Sequence, residues 1–293
     1  MAKKTARKTA KKPVIPEAPV TVGGFKLCLT SAVAPQWSSK DLVEAAVKYG
    51  YAGVELSAGA GCKHGVELES TETELREIRT VFSDNGIGIA CLGTPVSFHA
   101  AEPEARQKAL EELERYIDIA DALATPYVRI FGGEIPSGIE VAGAADYISD
   151  CLAEAASFAE QRSATLLVET FGTFRNSRFL REIIKQVYSP RLCALWNVPE
   201  TVRGLEPVGD TFDSLCDHIR HIHLADYEYF EERTAVAPAE FGDGFVPLGQ
   251  AIEVLADGGY RGYLAFDPAE IPEDSDEELQ RAVNVLKEVL GES

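Results

Sequence analysis

The chain is 293 residues long and 45% hydrophobic, and it carries 47 acidic against 28 basic side chains for a net charge of −19. That length and apolar content suffice to bury one α/β-barrel core without a second domain. The charge argues against nucleic acid and anionic membrane as partners, and no apolar run approaches the roughly 20 residues of a membrane-spanning helix, so a soluble, cytoplasmic protein is expected.

Residues 1–12 hold six Lys or Arg and no acid, which leaves −25 on the remainder. Pro13, Pro16 and Pro19 follow, with no apolar stripe, so residues 1–22 read as a disordered basic tail and 23–293 as the folded unit. The tail has no apolar h-region of a secretory signal, and its plain reading is a solvated arm, with a polyanion tether as the other.

Lys26-Leu-Cys-Leu29 begins an alternation of strands and helices. A helix opens near Ser38-Ser39 and stops at Gly50. Gly53-Val-Glu-Leu56 precedes a helix over Thr71 to Ser83, and Ile87 to Leu92 precedes one over Pro103 to Leu123, where Leu110, Leu113, Ile117 and Ile119 fall near helical spacing. Thr125 to Phe131 is the fourth strand, with a helix from about Val141 to Arg162. A fifth strand at Leu166, a helix over Asn176 to Val187, a sixth strand at Leu192 and a helix near Phe212 to Leu215 follow. A seventh strand at Arg220, a helix over Leu248 to Ala256, an eighth strand at Tyr263 and a helix over Glu277 to Leu290 complete eight β/α units.

Alternation of this kind implies a parallel sheet, and eight units favour closure into a (β/α)8 TIM barrel over an open doubly wound sheet. The expected G-x-G-x-x-G of a dinucleotide site is missing after an early strand. Cys28, Cys91 and Cys193 lie in apolar strand-like runs, where a thiol packs as a small hydrophobe, and the six cysteines form no C-x-x-C pair. Apolar helices such as Ala144 to Ala159 suit seating on the barrel or packing a second copy, which keeps a homo-oligomer open.

Four strand-like runs end in potential metal ligands: Thr165-Leu-Leu-Val-Glu169, Leu195-Trp-Asn197, Ile222-His223 and Ala265-Phe-Asp267. The C-terminal ends of parallel barrel strands share one mouth, so these side chains can converge on one ion. Arg129 reaches the same mouth and can pair with a substrate anion or with Glu169. His221 and His223 flank Ile222 and are read as pointing to opposite faces, with His223 inward and His221 and His218 structural or solvated. Trp196 is either an apolar wall for a substrate or barrel core. Glu55 and His99 are lesser mouth candidates.

Tyr127-Val-Arg-Ile-Phe-Gly-Gly133, Leu167-Val-Glu-Thr-Phe-Gly172, Leu195-Trp-Asn-Val198, Ile219-Arg-His-Ile-His-Leu-Ala-Asp226, Gly242-Asp-Gly-Phe-Val-Pro-Leu248 and Gly258 to Asp267 stand in order. Together, over roughly residues 25 to 290, they resemble the sugar phosphate isomerase/epimerase family, the xylose isomerase-like TIM barrels. The resemblance implies one divalent metal ion, Mn, Mg, Co or Zn, held at Glu169, Asn197, His223 and Asp267. The family carries Asp where Asn197 stands and Glu where Asp267 stands, so the ligand charge falls from −3 to −2 and the reach shortens. Glu200, in Asn197-Val-Pro-Glu200, is a candidate to restore that charge and touch substrate. Phe171 and Ala225 are further departures, where relatives often carry His and Lys.

What the resemblance implies is a metal acting as Lewis acid on a sugar or related hydroxy-carbonyl compound, with Glu169 and Asp267 as acid/base partners around an enediolate. The expected activity is isomerisation or epimerisation. Lyase or dehydratase chemistry on a keto-sugar, or a catalytically degenerate barrel serving as a binding or subunit-interaction protein, are the alternatives. An endonuclease IV-like site would need several more histidines than the five present.

Overall fold

A computed structural model describes residues 21–59, 61–230 and 235–292, so most of the basic tail, residues 1–20, lies outside the described residues. The last two residues assigned to that tail are ordered instead. Thr21–Val22 form β1, which pairs antiparallel with β2 (Phe25–Thr30), and Val22 is buried. Gly23 and Gly24, both at positive φ, make the tight turn between them.

The barrel strands are β2, β3 (Gly53–Ser57), β4 (Gly88–Gly93), β5 (Tyr127–Phe131), β6 (Thr165–Glu169), β7 (Leu192–Asn197), β8 (Ile219–Leu224) and β11 (Tyr263–Phe266). Each pairs in parallel with its neighbour in that order, and β11 returns to β2 with Leu264 opposite Leu27, which closes the sheet. Among the described residues this gives a closed barrel of eight parallel strands with helices between them, a TIM barrel as expected.

Local signals place the helices. Ser38 and Asp41 form a capping box at the start of α1 (Ser39–Tyr49), and Gly50 ends it in the left-handed conformation. Thr71 and Glu74 do the same for α2 (Glu72–Ser83). The other long helices are α3 (Pro103–Leu123), α4 (Val141–Gln161), α5 (Ser177–Val187), α8 (Leu248–Asp257) and α9 (Ser275–Val289), with α7 (Val208–Leu215) shorter.

Strand periodicity divides the core into two layers. Outward residues such as Val54, Ile130, Val168, Trp196 and Phe266 pack with the helices in one continuous apolar cluster. Inward residues, among them Cys91, Leu167, Cys193 and Leu195, and Cys28, Ala90 and Ala265, fill the barrel. The three strand cysteines are buried, and burial raises each thiol, so they behave as packing groups.

Two features at the mouth were not anticipated. A one-and-a-half-turn helix, α6 (Val198–Arg203), begins directly after β7, and a hairpin of β9 (Tyr227–Phe230) and β10 (Ala235–Pro238) leaves the end of β8. Asp226 anchors the hairpin base by accepting from the backbone N–H groups of Tyr227, Gly242, Gly244 and Val246 at 2.9 to 3.1 Å. No described helix is long and apolar enough to cross a membrane.

Candidate metal centre

Glu169 is the last residue of β6, His223 lies one from the end of β8, and Asp267 directly follows β11. Parallel register brings all three to the same end of the barrel, where each offers a ligand atom within 4.8 Å of the others. His223 Nδ1 lies 3.2 Å from Asp267 Oδ2 and 3.4 Å from Glu169 Oε1. Thr30 Oγ1 donates to Asp267 Oδ1 at 2.8 Å and holds that shorter carboxylate in place. Glu169 and His223 are buried, whereas the Asp267 side chain is 27% exposed, so the cluster opens to solvent on the Asp267 side.

Asn197 stands next to this group but faces it with its amide nitrogen. Nδ2 donates to Glu169 Oε1 at 2.7 Å, while Oδ1 accepts from the Glu200 N–H at 3.2 Å and caps α6. A helix N-terminus rewards a side-chain acceptor, and a carboxylate rewards a donor, so both contacts fix the same amide orientation. The oxygen expected to ligate is therefore turned to the helix. Glu200 departs from expectation as well: its carboxylate pairs with Arg203 Nη1 at 2.5 Å and Arg175 Nη2 at 3.2 Å, and its charge is spent there.

Below the mouth lies an ionic layer in which Arg129, expected at the mouth and able to pair with Glu169, meets Glu55, a lesser candidate, and His221, read as structural or solvated. Glu55 of β3 is fully buried, and its Oε2 is 2.9 Å from both His221 Nε2 and His223 Nε2. The expectation that the two histidines face opposite ways was wrong, because side chains two apart along a strand share a face. Both point into the barrel, their rings 5.5 Å apart. Arg129 of β5 completes the layer, with Nε 3.4 Å from Glu169 Oε2 and 3.8 Å from Glu55 Oε1, and its guanidinium over the Phe131 ring.

Trp196, offered as a substrate wall, points the other way. It shares the outward face of β7 with Leu192 and Ala194, is fully buried, and donates from Nε1 to Thr201 Oγ1 at 3.0 Å. Phe171 is exposed at the mouth and packs on Phe131 at 5.4 Å. His99 lies against Gly133, where an added methyl would meet its Nδ1.

Burial disfavours a charged His223, yet Glu55 and Asp267 outweigh it and hold its imidazole well above the usual range. Burial likewise opposes the Asp267 carboxylate, and His223 with Thr30 reverses this and keeps it below its ordinary value. His221, which lacks a hydrogen bond at either ring nitrogen, is pushed down by burial. Glu169 Oε2 and His223 Nδ1 are buried and also without hydrogen-bond partners. Three carboxylates, Glu55, Glu169 and Asp267, share one arginine, leaving two negative charges if His223 is neutral. A divalent cation matches both that charge and the donor atoms left without hydrogen bonds among the described residues, so the residues fit a metal of the carboxylate and imidazole type.

The closed sheet places the protein among TIM barrels, with candidate metal-ligating side chains gathered at the strand ends. It belongs to the xylose isomerase-like TIM barrel family, whose profile matches residues 43–289. Among curated relatives, fructoselysine 3-epimerase of Shigella flexneri is 24% identical over 233 residues, 76% of this chain and 82% of that one. Among solved structures, the IOLI protein with a bound zinc atom superposes with a TM-score of 0.78 at 18% identity, covering 91% and 98% of the two chains. D-psicose 3-epimerase in the presence of D-fructose superposes at 0.75 with 16% identity, covering 91% and 100%.

Proposed function

We propose that the protein is a divalent-metal-dependent epimerase or isomerase acting on a sugar or related hydroxy-carbonyl compound. The observation that carries this reading is the convergence of Glu169, His223 and Asp267, each with a donor atom within 4.8 Å of the others, at the mouth of the barrel. The 3-epimerase relative and the zinc-binding and 3-epimerase folds support it.

Glu169, His223 and Asp267 would hold the ion. When bound, it would polarise the carbonyl and hydroxyl oxygens of the substrate and make the C–H proton next to the carbonyl more acidic. Glu169 would take the proton from the carbon next to the carbonyl, and Asp267 would return one. Asn197 Nδ2 and Arg129 Nε both bind the Glu169 carboxylate, which fixes its direction for the transfer. Thr30 does the same for Asp267.

One observation also favours a lyase or dehydratase. Asp267 is tethered on a short side chain by Thr30 and His223, so chemistry that needs only Glu169 as base makes fewer demands on it.

The test is elemental analysis of protein purified without chelator or tag-borne nickel, followed by incubation with ketohexoses in deuterated water and observation by proton NMR. About one divalent ion per chain, absent from Glu169→Gln, together with deuterium uptake beside the carbonyl, is expected. Uptake with loss of water would select the dehydratase reading. An ion-free protein that is not thermally stabilised by added Mn, Co, Mg or Zn and exchanges no proton would leave only a binding role.

A further inference from the structure

The groups at the mouth are steered from one layer below, and the steering runs through Glu55. Its Oε2 accepts from His223 Nε2 at 2.9 Å, on the side of the ring away from Glu169 and Asp267. His221 Nε2 sits at the same 2.9 Å from Oε2, off the line of a hydrogen bond. Across the barrel, Arg129 Nε lies between Glu55 Oε1 and Glu169 Oε2. Gly93 leaves room for the pair, since a methyl group there would stand 2.9 Å from Glu55 Oε1 and 3.0 Å from Arg129 Nη2. A fully buried carboxylate is costly to desolvate, so packing alone gives no reason for one at this place.

We propose that Glu55 is the positioning residue of the metal centre, keeping a proton on His223 Nε2 so that Nδ1 offers its lone pair to an ion held with Glu169 and Asp267, and tuning Glu169 through their shared Arg129. The inference rests on the metal-centre reading above. A neutral imidazole has one N–H and one lone pair, and a carboxylate accepting the N–H decides which nitrogen is which and raises the basicity of the other. The second effect acts in the same direction. With the Glu55 charge removed, Arg129 is left to Glu169 alone, and that guanidinium competes with a cation for the same carboxylate.

The experiment is an equilibrium titration of zinc and of cobalt(II) into the full-length wild type, Glu55→Gln and Glu55→Leu. It is paired with nitrogen-15 NMR of the histidine rings in the zinc-loaded wild type. Gln keeps the shape and a carbonyl acceptor, so Glu55→Gln guards against simple misfolding, and thermal midpoints of the metal-free proteins identify any variant that collapses. The expected result is affinity weakened about 10-fold to 100-fold in Glu55→Gln and further in Glu55→Leu, with His223 protonated at Nε2 and shifted by metal at Nδ1. Unchanged affinity in both variants, or a His223 ring protonated at Nδ1, would overturn the assignment. So would two ions per chain with one lost on His221→Gln, because Glu55, His221 and His223 would then be ligands themselves. Failure of the wild type to bind either metal removes the centre and Glu55's role together, whereas tight wild-type binding with indifferent variants removes the role alone.

Discussion

Placing a carboxylate at position 197, as the resemblance implies for relatives, has a calculable effect. Asn197 Nδ2 donates to Glu169 Oε1 at 2.7 Å, so Asn197→Asp turns a hydrogen bond into the contact of two carboxylate oxygens. At that separation and an effective dielectric of about 20, two full charges repel by roughly 6 kcal/mol. The protein avoids part of this by keeping a proton on the pair, and the protonated acid replaces the amide donor. The cost is then that of holding a carboxyl protonated above its unfolded pKa of about 3.9, near 1.4 kcal/mol per pH unit, or about 4 kcal/mol at pH 7 and about 1.5 kcal/mol at pH 5. The sign follows from the raised folded pKa: the unfolded chain releases the proton first, so stability falls as pH rises above the unfolded value. Arg129, at 3.4 Å from the same Glu169 carboxylate, reduces the penalty somewhat. A divalent cation between the two carboxylates would cancel the repulsion outright. Urea denaturation of metal-free wild type and Asn197→Asp at the two pH values, each with and without millimolar manganese or zinc, checks this. A pH-dependent loss that added cation reverses is expected; equal stability at both pH values, or a loss indifferent to cation, would refute the reasoning.

Three further outcomes follow from side chains outside the centre. Trp196→Ala should destabilise by about 3 to 5 kcal/mol in chemical denaturation while leaving metal affinity unchanged, because the indole fills the layer between β7 and the helices. Glu200→Gln should lower the thermal midpoint and leave metal stoichiometry intact, since its carboxylate, from the first turn of α6, pairs with Arg203 at the end of that helix and with Arg175. His64 accepts from the Val66 N–H at Nδ1 and reaches the Ser57 carbonyl with Nε2, and burial pushes it down to about 4. The unfolded ring gains its proton near 6.5, so the His64 contribution to stability should fall by about 3 kcal/mol between that pH and 4, a component of the pH dependence that His64→Gln removes in pH-resolved denaturation.

The barrel was readable because its signals are local and repeated: Ser38, Thr71 and Asn176 cap helices where the periodic pattern begins, and apolar runs end in polar residues at a constant place in each unit. The site was readable only in part. Glu169, His223 and Asp267 meet as register demands, but which way a side chain points depends on strict alternation. That rule, applied to His221-Ile-His223, would have placed both histidines inside, and applied to Trp196-Asn197 would have sent the indole outward once Asn197 was taken as inward. Glu55 had the clearest overlooked signal, a carboxylate inside Gly53-Val-Glu-Leu56 between two apolar neighbours. The α6 turn and the β9–β10 hairpin were less accessible, since Asn197 capping Glu200 and Asp226 gathering four backbone N–H groups depend on contacts between loops.

On the proposed metal-centre reading, the interior charges offset the two departures, Asn197 and Asp267, from the ligand set that the resemblance implies. Asn197 carries no charge at the mouth and donates to Glu169, which a carboxylate at the same position would repel. One layer down, Glu55 contributes a carboxylate that reaches the mouth only through His223 and Arg129. With Arg129 offsetting one of the three carboxylates, the cluster retains two negative charges around a neutral His223, the charge of one divalent ion. In the metal-free state His223 meets part of that demand as an imidazolium between Glu55 and Asp267. Proton and metal therefore compete for one nitrogen, and cation affinity should weaken as pH falls. Calorimetric titration of zinc at pH 8 and pH 6 in buffers of different ionisation enthalpy would count the proton released on binding. A pH-independent affinity with no proton released would place the ion away from His223 Nδ1.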